Sequence, residues 1–179
     1  MRLLEDIKAI KKLLADRLRD LCLFTVGINT NLRASDLLQI TVGQVRGLKP
    51  MGEIELKEKK TGKARRISLN RACVEAINGW LKARPKDVED KDALFTGQRG
   101  TLTVETIHKL VKTWCKEINL KGNYGSHSLR KTFGYHQRVT FGVGIPELMT
   151  VFNHSTQKQT LAYLCVQPEE VKSVYLNQL

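Results

Sequence analysis

No stretch of this chain reaches the roughly 18 consecutive apolar residues that a membrane-spanning helix needs. Residues 1–12 lack the apolar core and small-residue cleavage site of a secretory signal. The four cysteines, Cys22, Cys73, Cys115 and Cys165, lie far apart and form no C-x-x-C pair. That argues against a zinc knuckle or a disulfide framework and for reduced, mostly buried thiols in a cytoplasmic protein. There is no internal repeat, no low-complexity tract and no Pro/Ser-rich linker, so the 179 residues read as one domain. Acidic residues are in deficit, 18 against 30 Lys and Arg, which leaves a formal charge of +12. Such an excess favours a polyanionic partner, either nucleic acid or an acidic membrane surface. The basic residues are spread along the chain rather than gathered on one amphipathic helix, which favours nucleic acid over membrane.

Apolar periodicity supplies the elements. Leu3, Leu4, Ile7, Ile10, Leu13 and Leu14 fall at helical spacing. Residues 17–27 read as a helix with Gly27 as its stop, 29–31 as a turn, and 32–40 as the next helix. Then the period changes. Residues 53–57 and 66–69 alternate around Lys60-Thr61-Gly62-Lys63, which predicts a β-hairpin, and 42–48 is a candidate third strand. Asn70 is the expected N-cap of a helix over 71–83, and Thr103 of one carrying Val104, Ile107, Leu110, Val111, Trp114 and Ile118 on one stripe. Residues 86–100 read as a polar loop. Further helices are expected over 128–140, 145–152 and 156–164, with a last one after Pro168. The fold class is mainly α with a small antiparallel β-sheet.

Taken singly, the polar residues that stand out carry bland readings. Arg33 is a solvated arginine, His127 and Arg130 form a weak H-x-x-R, His154 is a boundary histidine, and Tyr163 is a core aromatic. Their order changes this. L-R-A-S-D-L-L at 32–38 is followed by a hairpin with K-T-G-K, then H-S-L-R-K-T-F, N-H-S-T and T-L-A-Y, with Tyr163 nine residues after His154. From about Asp16 through Tyr163 this series resembles the tyrosine recombinases of the phage integrase type. Two departures are mild. Asn153 stands where members often have Gly, and Asp36 where they often have Glu. His108 and His136 match no catalytic position of the family, and both read as helix-surface residues.

The resemblance implies the catalytic-domain fold of that family and a chemistry that fits the residue types. Arg33 and Arg130 would donate forked hydrogen bonds to the phosphoryl oxygens, and neither can lose its charge. Tyr163 would be the nucleophile. A free phenol has a pKa near 10, so ionising it at neutral pH costs roughly 4 kcal/mol and needs a base or a cationic pocket. The family assigns proton acceptance to His127, a phosphate hydrogen bond to His154, and protonation of the leaving 5′-oxygen to a hairpin lysine. Lys60 is the candidate, with Lys59 and Lys63 as near neighbours. Lys57, Lys59, Lys63, Arg65 and Arg66 on the hairpin are candidate DNA-backbone contacts, as are Lys109, Lys112 and Lys116. No metal and no cofactor is implied.

The implied partner is double-stranded DNA at specific sites, bound by a homotetramer, with the free domain able to be a monomer and no membrane association. The implied location is the cytoplasm, at the nucleoid. Residues 1–179 would form a single catalytic domain, without the N-terminal DNA-gripping domain of most members. Asp36 would help orient Arg33. Two other readings keep the fold: a DNA-binding regulator without catalysis, and a type IB topoisomerase. A hydrolase built on Ser128 lacks the G-x-S-x-G elbow.

Overall fold

A computed structural model describes residues 1–59, 62–85, 87–98, 100–164 and 176. It forms two compact units, Met1–Phe133 and Gly134–Leu179. The first holds α1 (Leu4–Leu13), α2 (Leu18–Asn29), α3 (Ala34–Leu37), α4 (Val42–Val45), β1 (Glu53–Lys57), β2 (Ala64–Ser68), α5 (Arg71–Ala83), β3 (Thr96–Gly97), β4 (Gly100–Thr101) and α6 (Val104–Glu117). Helix α7 (Ser126–Val139) contains the division, and α8 (Ile145–Phe152) and α9 (Gln157–Leu164) follow. The described residues are mainly helical with two small antiparallel sheets, β1–β2 and β3–β4.

The core of the first unit is built around α2, which is buried continuously from Cys22 to Ile28 and packs along α5. Phe24 meets Trp114 of α6 edge to face, with centroids 6.0 Å apart. Of the α1 stripe, Ile10 and Leu14 are fully buried, whereas Leu3 and Leu4 are exposed. The α5 and α6 caps form as expected: Asn70 Oδ1 accepts from the Cys73 N–H at 3.0 Å, and Thr103 Oγ1 from the Thr106 N–H at 3.1 Å. Strands β1 and β2 pair Glu53 with Ser68 through Lys57 with Ala64, and Ile54, Leu56 and Ile67 point inward.

Four expectations are corrected. Gly27 does not end its helix, because α2 continues to Asn29. A Cβ at Gly27 would lie 2.7 Å from Leu129 Cδ1, so the glycine permits a close approach to the start of α7. The helix expected over 32–40 is the single turn α3. Residues 42–45 are a helical turn rather than a strand. T-x-x-Q forms a capping box there, with the Thr41 N–H donating to Gln44 Oε1 at 2.9 Å. Gln44 Nε2 then reaches the Glu55 carbonyl at 2.8 Å and ties this turn to β1. The loop after α5 is not wholly polar surface. Leu94 and Phe95 are fully buried, the Trp80 indole N–H donates to the Leu94 carbonyl, and β3 and β4 form a second hairpin.

In the second unit α8 spans the expected residues. It closes through Asn153 at φ 55°, with the Asn153 N–H on the Thr150 carbonyl at 3.0 Å and the His154 N–H on the Met149 carbonyl at 2.9 Å. This pair of bonds around a left-handed residue is a Schellman ending. The helix expected after Pro168 lies outside the described residues. Among the described residues, no helix is long and apolar enough to cross a membrane.

Candidate active site

Arg33 enters α3 two residues after Asn31, whose left-handed φ of 51° turns the chain out of α2. The arginine is not a solvated side chain. Its Nη1 lies 3.0 Å from Glu58 Oε2 and 3.7 Å from Asp36 Oδ2, and the side chain is 19% exposed. Both carboxylates are buried, Asp36 at 0% and Glu58 at 1%. A buried carboxylate is tolerated only with charged or hydrogen-bonding partners. Asp36 Oδ1 accepts from the Lys59 N–H at 3.0 Å and from Gln39 Nε2 at 3.4 Å, and Glu58 Oε1 takes Arg65 Nη1 at 3.1 Å. Removing one partner of such a buried pair costs roughly 3–5 kcal/mol.

Glu58 was not among the expected site residues, yet the strand register carried the signal. Ile54, Leu56 and Glu58 are alternate positions of one face, and the first two are core residues. The third is therefore a carboxylate aimed inward. Past it, the Glu58 N–H bonds the Lys63 carbonyl at 2.9 Å and the Gly62 N–H bonds the Glu58 carbonyl at 2.8 Å, with Gly62 at φ 69° closing the turn. Lys57, Lys59 and Lys63 are exposed on the hairpin. Arg66 is exposed beside Glu55 at 3.2 Å, and Arg65 is turned in against Glu58. Lys60 lies outside the described residues.

His127 and Arg130 both lie on α7 in the first unit, but their environments differ. His127 is exposed, whereas Arg130 is 1% exposed. Leu129 between them is the residue packed on Gly27. Ser128 Oγ accepts from the Gly125 N–H at 3.0 Å, so this hydroxyl serves the helix start.

The second unit brings His154 and Tyr163 together. Their ring centroids are 5.5 Å apart, and Phe152 lies 5.2 Å from His154 and 5.5 Å from Tyr163. Phe152 is fully buried and the other two rings are half-buried. His154 Nδ1 is 3.1 Å from the hydroxyl of Thr160, itself fully buried. The Schellman ending sets the backbone of His154, and Thr160 sets its ring. A Cβ at Gly134 would fall 2.7 Å from the Phe152 ring, so the end of α7 approaches this aromatic group closely. His136 is corrected. It is 7% exposed rather than on the surface, with Nδ1 2.8 Å from Thr140 Oγ1 and its ring edge-on to Tyr135. His108 is exposed as expected.

Among the described thiols, Cys22, Cys73 and Cys115 are buried. Burial pushes all three up, Cys73 to about 12 and Cys115 to about 11. None is suited to act as a thiolate.

Residues 3–170 match the phage integrase family. The chain is 31% identical over 180 residues to the probable integrase/recombinase YoeC of Bacillus subtilis, covering 98% of this chain and 93% of that protein. It is 35% identical over 159 residues to tyrosine recombinase XerC of Caldanaerobacter subterraneus subsp. tengcongensis, covering 86% of this chain and 43% of that recombinase. The chain thus spans less than half of that relative and nearly all of YoeC. The fold is similar to that of XerA recombinase, at TM-score 0.78 and 19% identity over 96% of this chain and 60% of that one. It is similar to the same degree, TM-score 0.78 and 21% identity, to XerH site-specific recombinase bound to palindromic difH substrate, over 97% of this chain and 52% of XerH. The chain belongs to the phage integrase family of tyrosine recombinases.

Proposed function

We propose that this chain is the catalytic domain of a site-specific DNA recombinase that cuts and rejoins double-stranded DNA through a 3′-phosphotyrosine at Tyr163. The Tyr163 hydroxyl oxygen attacks the scissile phosphorus, the bond to the 5′-oxygen breaks, and the phenol proton passes to His127. Lys60 donates a proton to the leaving 5′-oxygen. Arg33 and Arg130 hold the non-bridging oxygens as charge accumulates on them, and His154 donates a further hydrogen bond. Loss of one such donor costs about 10²–10³ in rate. The covalent ester conserves the energy of the broken bond, so a 5′-hydroxyl from another strand reseals the DNA without ATP. Each step uses only this chain's own acids and bases.

The observation that carries this reading is the contact of Tyr163 with His154 in a chain that matches the family from residue 3 to 170. Exposed Lys57, Lys59 and Lys63 suit phosphate contacts along the duplex. The working assembly is a homotetramer on two duplexes at the nucleoid.

The test is covalent trapping. The protein is incubated with nicked suicide DNA from its own locus, whose cleaved end diffuses away. The expected result is a denaturation-resistant protein–DNA adduct that is absent with Tyr163→Phe. An adduct undiminished in that variant, or none on DNA that the protein binds, sinks the assignment. Exchange between two such sites separates a recombinase from a topoisomerase.

A further inference from the structure

We propose that Glu58 is a positioning residue for Arg33, and that it couples the setting of this arginine to the β1–β2 turn. The inference rests on the reading of Arg33 as a phosphate ligand. Three observations carry it. Glu58 is 1% exposed, and its two oxygens are divided between two guanidinium groups, Oε2 on Arg33 at 3.0 Å and Oε1 on Arg65 at 3.1 Å. A carboxylate held at both oxygens has no freedom to rotate, so it defines where Nη1 of Arg33 sits. Asp36 also meets Arg33 at Nη1, so both carboxylates engage the same nitrogen, and the Nε–Nη2 edge is the fork that would bind two phosphate oxygens at once.

The links between the two segments are reciprocal. The hairpin's Glu58 side chain reaches Arg33, and Asp36, one turn after Arg33, accepts the backbone N–H of Lys59 at 3.0 Å. The Glu58 backbone also closes the turn, through Lys63 and Gly62. Displacement of the turn therefore moves the Glu58 backbone and the carboxylate that holds Arg33. Arg65, with its side chain 14% exposed, serves as a buttress for Glu58 rather than as a grip on the DNA backbone.

The experiment compares wild type and Glu58→Gln on two suicide duplexes. One has an ordinary scissile phosphodiester. In the other a methyl replaces one non-bridging oxygen, which removes the charge that Arg33 neutralises. Glutamine keeps the shape and loses the charge. The expected result on the phosphodiester is a single-turnover rate of adduct formation lower by at least about tenfold, with half-saturating DNA concentration unchanged; outright loss of such a donor costs about 10²–10³. On the methylphosphonate the two proteins should agree within about twofold, because the group that Glu58 positions is no longer needed. A wild-type rate on the phosphodiester overturns the proposal, and so does an equal loss on both substrates, which marks a merely structural role. Those outcomes leave wild-type cleavage intact. Absence of any wild-type adduct instead overturns the reading of the site, and the role of Glu58 with it. Should Glu58→Gln not fold, Arg65→Gln is read on the same two substrates, with a smaller loss confined to the phosphodiester expected and an equal loss on both overturning.

Discussion

Gly27 and Gly79 both sit inside helices, α2 and α5, and alanine at the two positions should move stability in opposite directions. In a helix interior alanine is favoured over glycine by about 1 kcal/mol. At Gly79 nothing lies within 4 Å of the place a Cβ would take. Gly79→Ala should therefore stabilise by about 0.5–1 kcal/mol. At Gly27 the new Cβ would fall 2.7 Å from Leu129 Cδ1 and 3.3 Å from its Cβ and Cγ. Leu129 is 2% exposed and cannot swing into solvent. Overpacking of this kind costs about 1–3 kcal/mol. Subtracting the helix gain leaves Gly27→Ala destabilised by about 0–2 kcal/mol. Urea unfolding followed by helical circular dichroism reads both variants on one scale. For a chain of this size each kcal/mol is about 2–4 °C in Tm, so the two should melt several degrees apart. Leu129 precedes Arg130, and Gly27→Ala should also slow strand cleavage while Gly79→Ala should not. A Gly27→Ala protein as stabilised as Gly79→Ala would show that the approach of α2 to α7 yields freely, and the packing argument would fail.

Gly134→Ala would press on Phe152, the ring beneath His154 and Tyr163. Gly134 lies inside α7, so after the helix gain the substitution should cost about 0–2 kcal/mol and depress adduct formation, and normal cleavage would contradict it. At Asn153, alanine should cost about 1–2 kcal/mol and glycine should be neutral, since the residue is left-handed; equal melting of the two would refute the strain. Cys22 and Cys73 are fully buried with raised pKa values, Cys73 at about 12, against about 8.5 in an unfolded chain. The unfolded state loses these protons first. Stability is therefore fully present below pH ~8.5 and falls as pH rises toward the folded values, by roughly 1.4 kcal/mol per unit for each thiol. Urea midpoints at rising pH should show this slope, and a Cys22→Ala, Cys73→Ala double variant should lack that part of it.

The elements that sequence made legible are those settled by local chemistry. Asn70 and Thr103 cap through their own i+3 amides. The limits of α8 follow from Pro146 in its first turn and a residue tolerant of the left-handed region at its end. The β1–β2 hairpin follows from alternation around a glycine turn. What escaped depends on partners distant in sequence. Gly27 reads as a stop until Leu129 is placed against it. His136 reads as surface until its burial beside Tyr135 and Thr140 is seen. Asp36 was legible as a partner of Arg33 from its place in the family pattern, and the structure sets it one helical turn on. Glu58 was not, although its inward register could have exposed it.

The clustering of Arg33 and Arg65 against Glu58 and Asp36 separates two quantities that net charge runs together. Of the chain's +12, these arginines contribute little to the far field, because each stands within 4 Å of a buried carboxylate. Beyond a Debye length of about 8 Å at physiological salt, a polyanion senses mainly the exposed lysines. On the proposed function, encounter rate and its salt dependence are then tunable by surface substitution without disturbing Arg33, the cation assigned to the reacting phosphate. On that reading, a charge-neutralising change at Lys57 or Lys63 and one at Arg33 belong to different kinetic regimes, the first governing how DNA is found and the second what is done to it.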